Sequence, residues 1–206
     1  MARQKEISRR PRKDMKRKPI VYIVCEGEET EIKYFRRFRR RDSLINIIPI
    51  ASNYKAADRL VLKAISSIGS GDYDPRNGDV VWCVFDRDEN TDEMLEKARK
   101  KAAEDNLKIA FSNPSFELWF LLHFCQQTAE LRDCSDVIHH LRSKGCIENY
   151  EKNRDYFDFL LPYMDKAVER AEKRLKELEK EKIRIVSRAS NPATSVSELV
   201  TFLRGR

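Results

Sequence analysis

Three short and almost uninterrupted apolar runs constrain the fold of this chain more than any other feature. They are residues 20–25 (IVYIVC), 44–50 (LINIIPI) and 80–85 (VVWCVF). Apolar runs of this length that are rich in β-branched residues are typical of strands buried on both faces of a parallel sheet. Because the segments between them have helical patterns, we predict a doubly wound α/β sheet with right-handed crossovers.

The pattern of the chain changes after Pro114. Before that point we predict helices at about 28–41, 54–68 and 91–106, and a short fourth strand at 108–111. After it the pattern is almost entirely helical, with helices predicted at 115–125, 134–143, 150–160, 162–182 and 195–204 and one further strand candidate at 183–187. These patterns predict an α/β core over residues 19–125 and a helical extension over residues 126–206 that packs back on the core.

The positive charge of the chain is concentrated at its N-terminus. The formal net charge is +7, and residues 1–19 alone hold nine Lys/Arg and two Asp/Glu, which is also +7. The rest of the chain holds 32 residues of each sign. We predict a basic flexible tail over residues 1–18. Such a tail attracts phosphate backbones without reading their sequence, but it is equally typical of a solubilising segment.

Several classes of protein do not fit the composition. No stretch approaches the ~20 apolar residues that a membrane span needs, and the charged N-terminus lacks the apolar segment of a secretory signal. The five cysteines are odd in number, and no pair has CxxC spacing. Reduced cysteines are therefore favoured over a disulfide framework, and we expect a cytoplasmic protein without membrane contact.

Acidic side chains directly follow two of the predicted strands. Glu26 comes after the first run, and Asp86 and Asp88 come after the third. Ligands of open α/β sheets bind at the carboxyl ends of the strands, where these three carboxylates would meet and would need a cation such as Mg²⁺. The pattern predicts metal-dependent phosphoryl transfer, with Glu26 as a ligand or as a general acid/base. Acidic residues are also frequent at strand ends without any metal, so that alternative stays open.

A polar helix N-terminus is predicted after the fourth strand. Asn113 is a candidate cap, and together with Ser115 it could hold a phosphate at the free backbone N–H groups. Glu117 in the first turn would add a fourth carboxylate to the crevice, or it would only complement the helix dipole. We interpret His123 first as a buried, hydrogen-bonded histidine and only second as a catalytic one.

Basic residues that could hold a nucleic-acid backbone occur in two segments. One is the predicted first helix, and the other is the region around residue 152. Together they are Lys33, Arg36, Arg37, Arg40, Lys152 and Arg154. In the second segment, solvent-exposed charge without a ligand is the simpler account.

Four motifs in a fixed order resemble the RloB-like family. They are Cys25-Glu26-Gly27 followed by Thr30-Glu31 and Tyr34-Phe35, then Asp86-Arg87-Asp88-Glu89, then Asn113 to Trp119 with His123-Phe124, and finally Asn191-Pro192, Thr194, Val196 and Leu199-Val200. The resemblance covers nearly everything from residue 20 to residue 204.

The resemblance implies a fold and a site. RloB-like proteins are similar to Toprim nucleases, which implies a Toprim-like (Rossmannoid), mostly parallel sheet flanked by helices. The Toprim pattern of a Glu after the first strand and a DxD after a later one falls on Glu26, Asp86 and Asp88, as ligands of Mg²⁺ or Mn²⁺. A third acidic position of that pattern falls on Asn90, which is an amide. Candidates to compensate for it or to support the site are Glu31, Glu89, Glu117 and His123.

The resemblance also implies a biological setting. RloB-like proteins are linked to bacterial restriction, abortive infection and other antiviral defence, sometimes beside an ATPase and sometimes in CRISPR settings. The family therefore implies RNA cleavage, with tRNA as a substrate. The residues alone leave open a DNA nuclease that uses the same acids and a non-catalytic nucleic-acid-binding partner of an ATPase. The long helix predicted at 162–182 could be the arm of a homodimer or a substrate arm.

Overall fold

A five-stranded sheet forms the centre of the protein. The computed structural model describes residues 17–69, 73–143 and 146–205. The strands are β1 (Ile20–Cys25), β2 (Asn46–Ala51), β3 (Val80–Asp86), β4 (Lys108–Asn113) and β5 (Ala193–Thr194), and their order in the sheet is β2-β1-β3-β4-β5. Strands β1 to β4 pair in parallel, whereas β5 is antiparallel to β4. The predicted α/β architecture with a mostly parallel sheet is confirmed.

Eight helices accompany the sheet in the described part of the chain. They are α1 (Thr30–Arg36), α2 (Ala57–Gly69), α3 (Asp92–Glu104), α4 (Glu117–Leu122), α5 (Cys134–Ser143), α6 (Phe157–Leu160), α7 (Met164–Lys180) and α8 (Val196–Arg204). Single 3₁₀ turns lie at Pro75–Asn77, Leu161–Tyr163 and Arg188–Ser190. None of these helices is long and apolar enough to cross a membrane.

Helices cover both faces of the sheet because side chains alternate along each strand. Ile23 points into a cluster that it shares with α1, α4, α5, α7 and α8. Its neighbour Val24 points into the opposite cluster, which is closed by α2 and α3. This double covering explains why the parallel strands have almost uninterrupted apolar sequences.

The C-terminal part of the chain shares its hydrophobic cluster with the sheet. Leu141, Ala167 and Leu203 pack in the same cluster as Val21. Strand β5, which pairs with β4, lies in the segment 126–206 that we predicted to be a helical extension. The predicted division at residues 125/126 stays a prediction. Most of the predicted basic tail lies outside the described residues.

Three local predictions were wrong. The first helix ends at Arg36 and not near residue 41, since the Arg-rich continuation has no apolar stripe to bury; there the Arg39 side chain donates to the carbonyl of Ile47 instead (2.7 Å). Only Phe157–Leu160 of the helix predicted at 150–160 is α-helical, because the Tyr156 hydroxyl ties the preceding residues into a loop. Residues 183–187 are not a strand.

None of the five cysteines forms a disulfide bond. Cys25 and Cys83 lie on β1 and β3, and each is buried in one of the two hydrophobic clusters. In such surroundings a thiol behaves as a small apolar side chain. Burial, together with repulsion from nearby acidic groups, raises the pKa of Cys25, and burial raises the pKa of Cys83 to about 12.

Candidate active site

An acidic cavity of about 510 Å³ lies at the carboxyl ends of β1, β3 and β4. Eight of the residues that line it are acidic and three are basic. The acidic ones include all four predicted catalytic residues, Glu26, Asp86, Asp88 and Glu117, and also Glu31. Parallel pairing of β1 with β3, and of β3 with β4, aligns the three strand ends and brings these side chains together.

Glu26 and Asp86 are linked across the two central strands. The backbone N–H of Asp86 donates to Glu26 Oε2 (3.1 Å). In turn Asp86 Oδ2 accepts a hydrogen bond from the backbone N–H of Phe116 (3.0 Å), at the start of α4. The helix N-terminus that we predicted to hold a phosphate therefore contacts the Asp86 carboxylate, which the N–H of Phe116 stabilises.

The local environment favours the protonated form of both acids when nothing neutralises them. Burial raises the pKa of Glu26 to about 7; the hydrogen bond from Asp86 opposes this shift, and repulsion from Asp88 and Glu31 adds to it. Burial also raises the pKa of Asp86, and repulsion from Glu31, Glu26 and Glu117 raises it further. Such a site gains free energy from a bound cation, because the cation removes the repulsion.

Glu31 reaches the site because the residue beneath it is a glycine. Its side chain is buried, and it lies directly over Gly27, where an added Cβ would stand 2.0 Å from Glu31 Oε2. Burial and repulsion from Glu117 raise the pKa of Glu31, while backbone hydrogen bonds and Lys152 oppose the shift. The Glu26-Gly27 turn thus makes room for an additional carboxylate from the first turn of α1.

Side chains from residues 134–152 hold Glu117 in place. The Tyr150 hydroxyl donates to Glu117 Oε1 (3.3 Å), and the Cys134 thiol donates to Oε2 (3.3 Å). Lys152 Nζ lies 3.6 Å from Oε1. Burial and repulsion from Glu117 raise the pKa of the Tyr150 hydroxyl, so it stays a donor at neutral pH. The sequence shows no signal for Tyr150 or Cys134, because they meet Glu117 only through the tertiary fold.

Asn90 has a structural role that the sequence did not reveal. Its side chain is buried, and its Oδ1 accepts from the backbone N–H of Ala57 (2.9 Å). Its Nδ2 donates to the carbonyls of Asp86 (3.1 Å) and Lys55 (3.4 Å). The amide therefore connects the loops that follow β2 and β3. These contacts need a donor and an acceptor on one side chain. An ionised acid has no donor, which explains why residue 90 is an asparagine and not the acid of the Toprim pattern.

Three residues that our sequence analysis did not select also line the cavity. Asn53 and Lys55 belong to the loop after β2, and Lys55 lowers the pKa of Glu26. Arg87 lies between the two aspartates, and its guanidinium donates to the carbonyl of Arg132. The helix predicted from residue 54 obscured this loop, since α2 begins only at Ala57.

Three of the four basic residues predicted as contacts in and after α1 have acidic partners. Lys33 pairs with Glu29 (2.6 Å), and Arg37 pairs with Asp155 and Asp158. Arg40 lies 3.6 Å from Asp42, and Arg36 is exposed. Of this set only Lys152 lines the cavity, whereas the Arg154 guanidinium lies over the Tyr156 ring. Since Lys33, Arg37 and Arg40 already have acidic partners, they are less available to a nucleic-acid backbone than the sequence suggests.

The remaining predicted residues divide into near and distant ones. Ser115 lines the cavity, although its side chain is largely buried. Asn113 is fully buried and donates to Ser187, Arg188 and Ser190, so it is not available to a nucleic acid. His123 is buried outside the cavity lining, with Nδ1 bonded to the Trp119 carbonyl (2.8 Å), and burial lowers its pKa to about 4. Glu89 is exposed and is not a lining residue.

Comparison with known proteins identifies the family. The family model described as RloB-like protein matches residues 21–203. The chain belongs to the RloB-like protein family. The match includes every cavity-lining residue of this RloB-like protein, from Glu26 to Asn153. Neither a curated protein nor a solved structure matches the chain.

The cavity offers the oxygen donors that a hard divalent cation prefers, but these donors do not already stand in the arrangement of a metal site. Among residues 17–69, 73–143 and 146–205, no three His, Cys, Asp or Glu side chains form a ready-made metal site. Asp88 is exposed, with a left-handed φ of 31°. The hydrogen bonds described for Glu26 and Asp86 engage one oxygen of each carboxylate, and oxygen donors in a repulsive setting suit Mg²⁺ or Mn²⁺. The metal site and its ligands stay predictions.

Proposed function

We propose that this RloB-like protein is a metal-dependent endoribonuclease with Toprim-like chemistry, which cleaves tRNA or another structured RNA in bacterial antiviral defence. One observation carries the proposal: the carboxylates of Glu26, Asp86, Asp88 and Glu117 line one cavity at the carboxyl ends of adjacent parallel strands. RNA, and tRNA in particular, comes from the family resemblance. A cytoplasmic location, an ATPase or CRISPR-associated partner and a homodimer are parts of the same proposal.

Glu26, Asp86 and Asp88 are the residues that would hold Mg²⁺ or Mn²⁺. A bound ion of this kind activates water and stabilises the charge that develops on a phosphate. If Glu26 is not itself a ligand, it is the acid best suited to exchange a proton near neutral pH, because its pKa of about 7 in the metal-free protein matches the working range of a general acid/base. Asp86 is held in position by the hydrogen bond from the backbone N–H of Phe116.

The basic residues of the cavity would position the scissile phosphate. Lys55, Arg87 and Lys152 line the cavity from three separate segments, after β2, after β3 and in the loop before α6. The Glu117 carboxylate raises the pKa of Lys152 against the effect of burial, so this lysine is charged at neutral pH. Cations around a phosphate stabilise the transition state and also orient the reacting bond.

A protein that only binds nucleic acid is the less favoured alternative. Eight acidic residues around one cavity would repel a phosphate, so the arrangement is useful only when a cation is present. A DNA nuclease with the same acids is not distinguished by the geometry. The experiment below therefore tests both alternatives, the binding protein and the DNA nuclease.

The test is cleavage of labelled tRNA, duplex DNA and single-stranded DNA by the purified protein, with Mg²⁺ or Mn²⁺ and with EDTA. We expect metal-dependent cleavage of tRNA that the Glu26→Gln/Asp86→Asn variant lacks. The matched control Glu104→Gln/Glu169→Gln also removes two negative charges, but from exposed side chains outside the cavity, and it should cleave normally. Full activity in EDTA or in the cavity variant would refute the metal mechanism.

The other outcomes separate the alternatives. Preferential cleavage of DNA would replace the RNA proposal with the DNA nuclease. Tight tRNA binding that is insensitive to chelator, without cleavage at any metal concentration, would favour the non-catalytic partner. Because phosphate contacts release counterions, binding in every case should weaken steeply with salt.

A further inference from the structure

An exposed tyrosine stands between two residues that line the cavity. Tyr54 is 47% exposed, and its neighbours Asn53 and Lys55 both belong to the cavity lining. Among the described residues, no ring contact and no side-chain hydrogen bond involves Tyr54. Single exposed aromatic rings are common, so what distinguishes Tyr54 is its place in the chain between two residues of the cavity lining.

The backbone around Tyr54 is fixed by hydrogen bonds. The Ser52 hydroxyl accepts from the Tyr54 N–H (3.1 Å) and donates to the Tyr54 carbonyl (3.2 Å). Asn53 has a left-handed φ of 60°, which this arrangement keeps in place. The turn that carries the ring is therefore well defined, and a ligand would have to order only the side chain and not the backbone of Tyr54.

The same loop is joined to the acidic strand end. Asn90 donates both to the carbonyl of Lys55 and to the carbonyl of Asp86. The position of Tyr54 is thereby coupled to that of Asp86 through one buried amide. Lys55, the next residue, faces the cavity and its acids.

We propose that Tyr54 stacks on an unpaired base beside the scissile phosphate, so that the substrate class is a nucleic acid with an unpaired nucleotide at the cleavage position. The proposal rests on the proposed function, since it assumes that a phosphodiester enters the acidic cavity. Tyr54 is not itself a lining residue, so its ring would cover the flat face of a base outside the cavity while the phosphate of that nucleotide lies between Lys55 and the acids. Bases inside a duplex have no free face for it, whereas every unpaired base offers one.

The test is a binding titration with Ca²⁺ in place of Mg²⁺ or Mn²⁺, with two fluorescently labelled RNAs followed by anisotropy. Ca²⁺ takes oxygen ligands and so neutralises the acids of the cavity, and a gel confirms that the RNAs stay intact. One is a hairpin with an unpaired loop, and the other is a blunt duplex of similar length. We expect Tyr54→Ala to weaken hairpin binding by about tenfold, the usual size of one lost base–aromatic stack, and to leave duplex binding unchanged. Tyr54→Phe should bind as the wild type does, because stacking does not use the hydroxyl.

Tyr163→Ala is the matched control. Tyr163 is 41% exposed, but it packs on Phe124 and does not line the cavity. It should bind both RNAs normally. A comparison of thermal unfolding among the variants confirms that each is folded.

Three outcomes would overturn the proposal: unchanged hairpin binding by Tyr54→Ala, an equal loss on hairpin and duplex, or an equal loss in Tyr54→Phe. They leave the nuclease itself untouched if tRNA cleavage persists. Conversely, if hairpin binding depends on Tyr54 but the protein never cleaves RNA, the proposed role of Tyr54 in stacking would stand and the proposed nuclease activity would be refuted.

Discussion

The backbone N–H of Asp86 donates to the carboxylate of Glu26 at 3.1 Å, so the acids that end β1 and β3 belong to one hydrogen-bonded unit. The contact fixes one oxygen of Glu26 while burial keeps the group away from bulk water. Protonation of Glu26 should therefore be linked to folding and also to cation binding.

The first prediction concerns the stability of the metal-free protein. The folded-state pKa of Glu26 is about 7, against an ordinary 4.5, so the folded state binds more protons between these values. The free energy of unfolding contributed by Glu26 is therefore fully present below about pH 4.5 and is lost as the pH rises through about 7. Glu26→Gln should remove this loss, as measured by urea unfolding in EDTA from pH 5 to pH 8.

Comparison with Glu26→Gln reports the titration of Glu26 together with its repulsion of Asp86, and it separates both from groups outside the cavity. Burial lowers the pKa of His123 to about 4, which makes stability increase with pH in the lower part of the same window, but it does so in both proteins. Adding Mg²⁺ should restore stability at pH 8 in the wild type only, because a cation binds the ionised form. Parallel pH profiles for the two proteins would contradict the linkage.

The second prediction concerns Gly27. In Gly27→Ala the new Cβ would stand 2.0 Å from Glu31 Oε2, so the Glu31 carboxylate must move within the cavity. We expect RNA cleavage to fall by roughly a hundredfold, the size of effect that small displacements of catalytic groups produce, while thermal stability changes little because a side-chain end gives way. Gly69→Ala is the control, since an added Cβ there meets nothing within 4 Å. Equal activity of the two variants would exclude a role for the position of Glu31.

The part of the site that could be predicted from the sequence follows from local pattern. Apolar runs locate β1 and β3, and a parallel pairing places the residues after them at one edge, which is why Glu26 and Asp86 were found. Lys55 and Tyr54 were missed because an amphipathic pattern over 54–68 does not show that α2 begins at Ala57. Two-residue β5 has no periodicity to detect.

Contacts between segments that are distant in the sequence could not be predicted, for a different reason. Glu117 and Tyr150 are 33 residues apart and meet only after the chain from 134 to 152 has packed against α4. In the sequence, Asn90 is only an amide at a position where the Toprim pattern has an acid. Its structural role is not visible there, because the two carbonyls to which it donates become neighbours only when the β2 and β3 loops are adjacent. Neither contact leaves a signature in composition or spacing.

The third prediction concerns Asn90. Asn90→Ala leaves buried groups of Ala57, Lys55 and Asp86 without their partner, which should cost about 2–4 kcal/mol of the free energy of unfolding. Asn90→Asp restores the acid of the Toprim pattern but directs a carboxylate at two carbonyls. It should also be destabilised, without tighter Mn²⁺ binding by calorimetry. Asn149→Ala, at an exposed position, is the control; a stable Asn90→Asp with increased metal affinity would contradict the structural role.

The last prediction concerns Tyr150. Tyr150→Phe removes the hydroxyl that donates to Glu117 Oε1 but keeps the ring, which stacks on Tyr156 at 5.3 Å between centroids. Because hydrogen bonds to charged groups contribute about 1.5–3 kcal/mol, we expect kcat for RNA cleavage to fall at least about tenfold if Glu117 acts in the reaction. KM should change little, since Tyr150 does not line the cavity.

Tyr34→Phe provides the matched control for Tyr150→Phe. The Tyr34 hydroxyl is equally buried, but it bonds Trp119 and Met164 rather than an acid of the cavity. Its loss should lower the melting temperature and leave kcat unchanged. If both variants reduced kcat in proportion to their loss of stability, Tyr150 would contribute to the fold alone, and Glu117 would need no positioning from the segment 134–152.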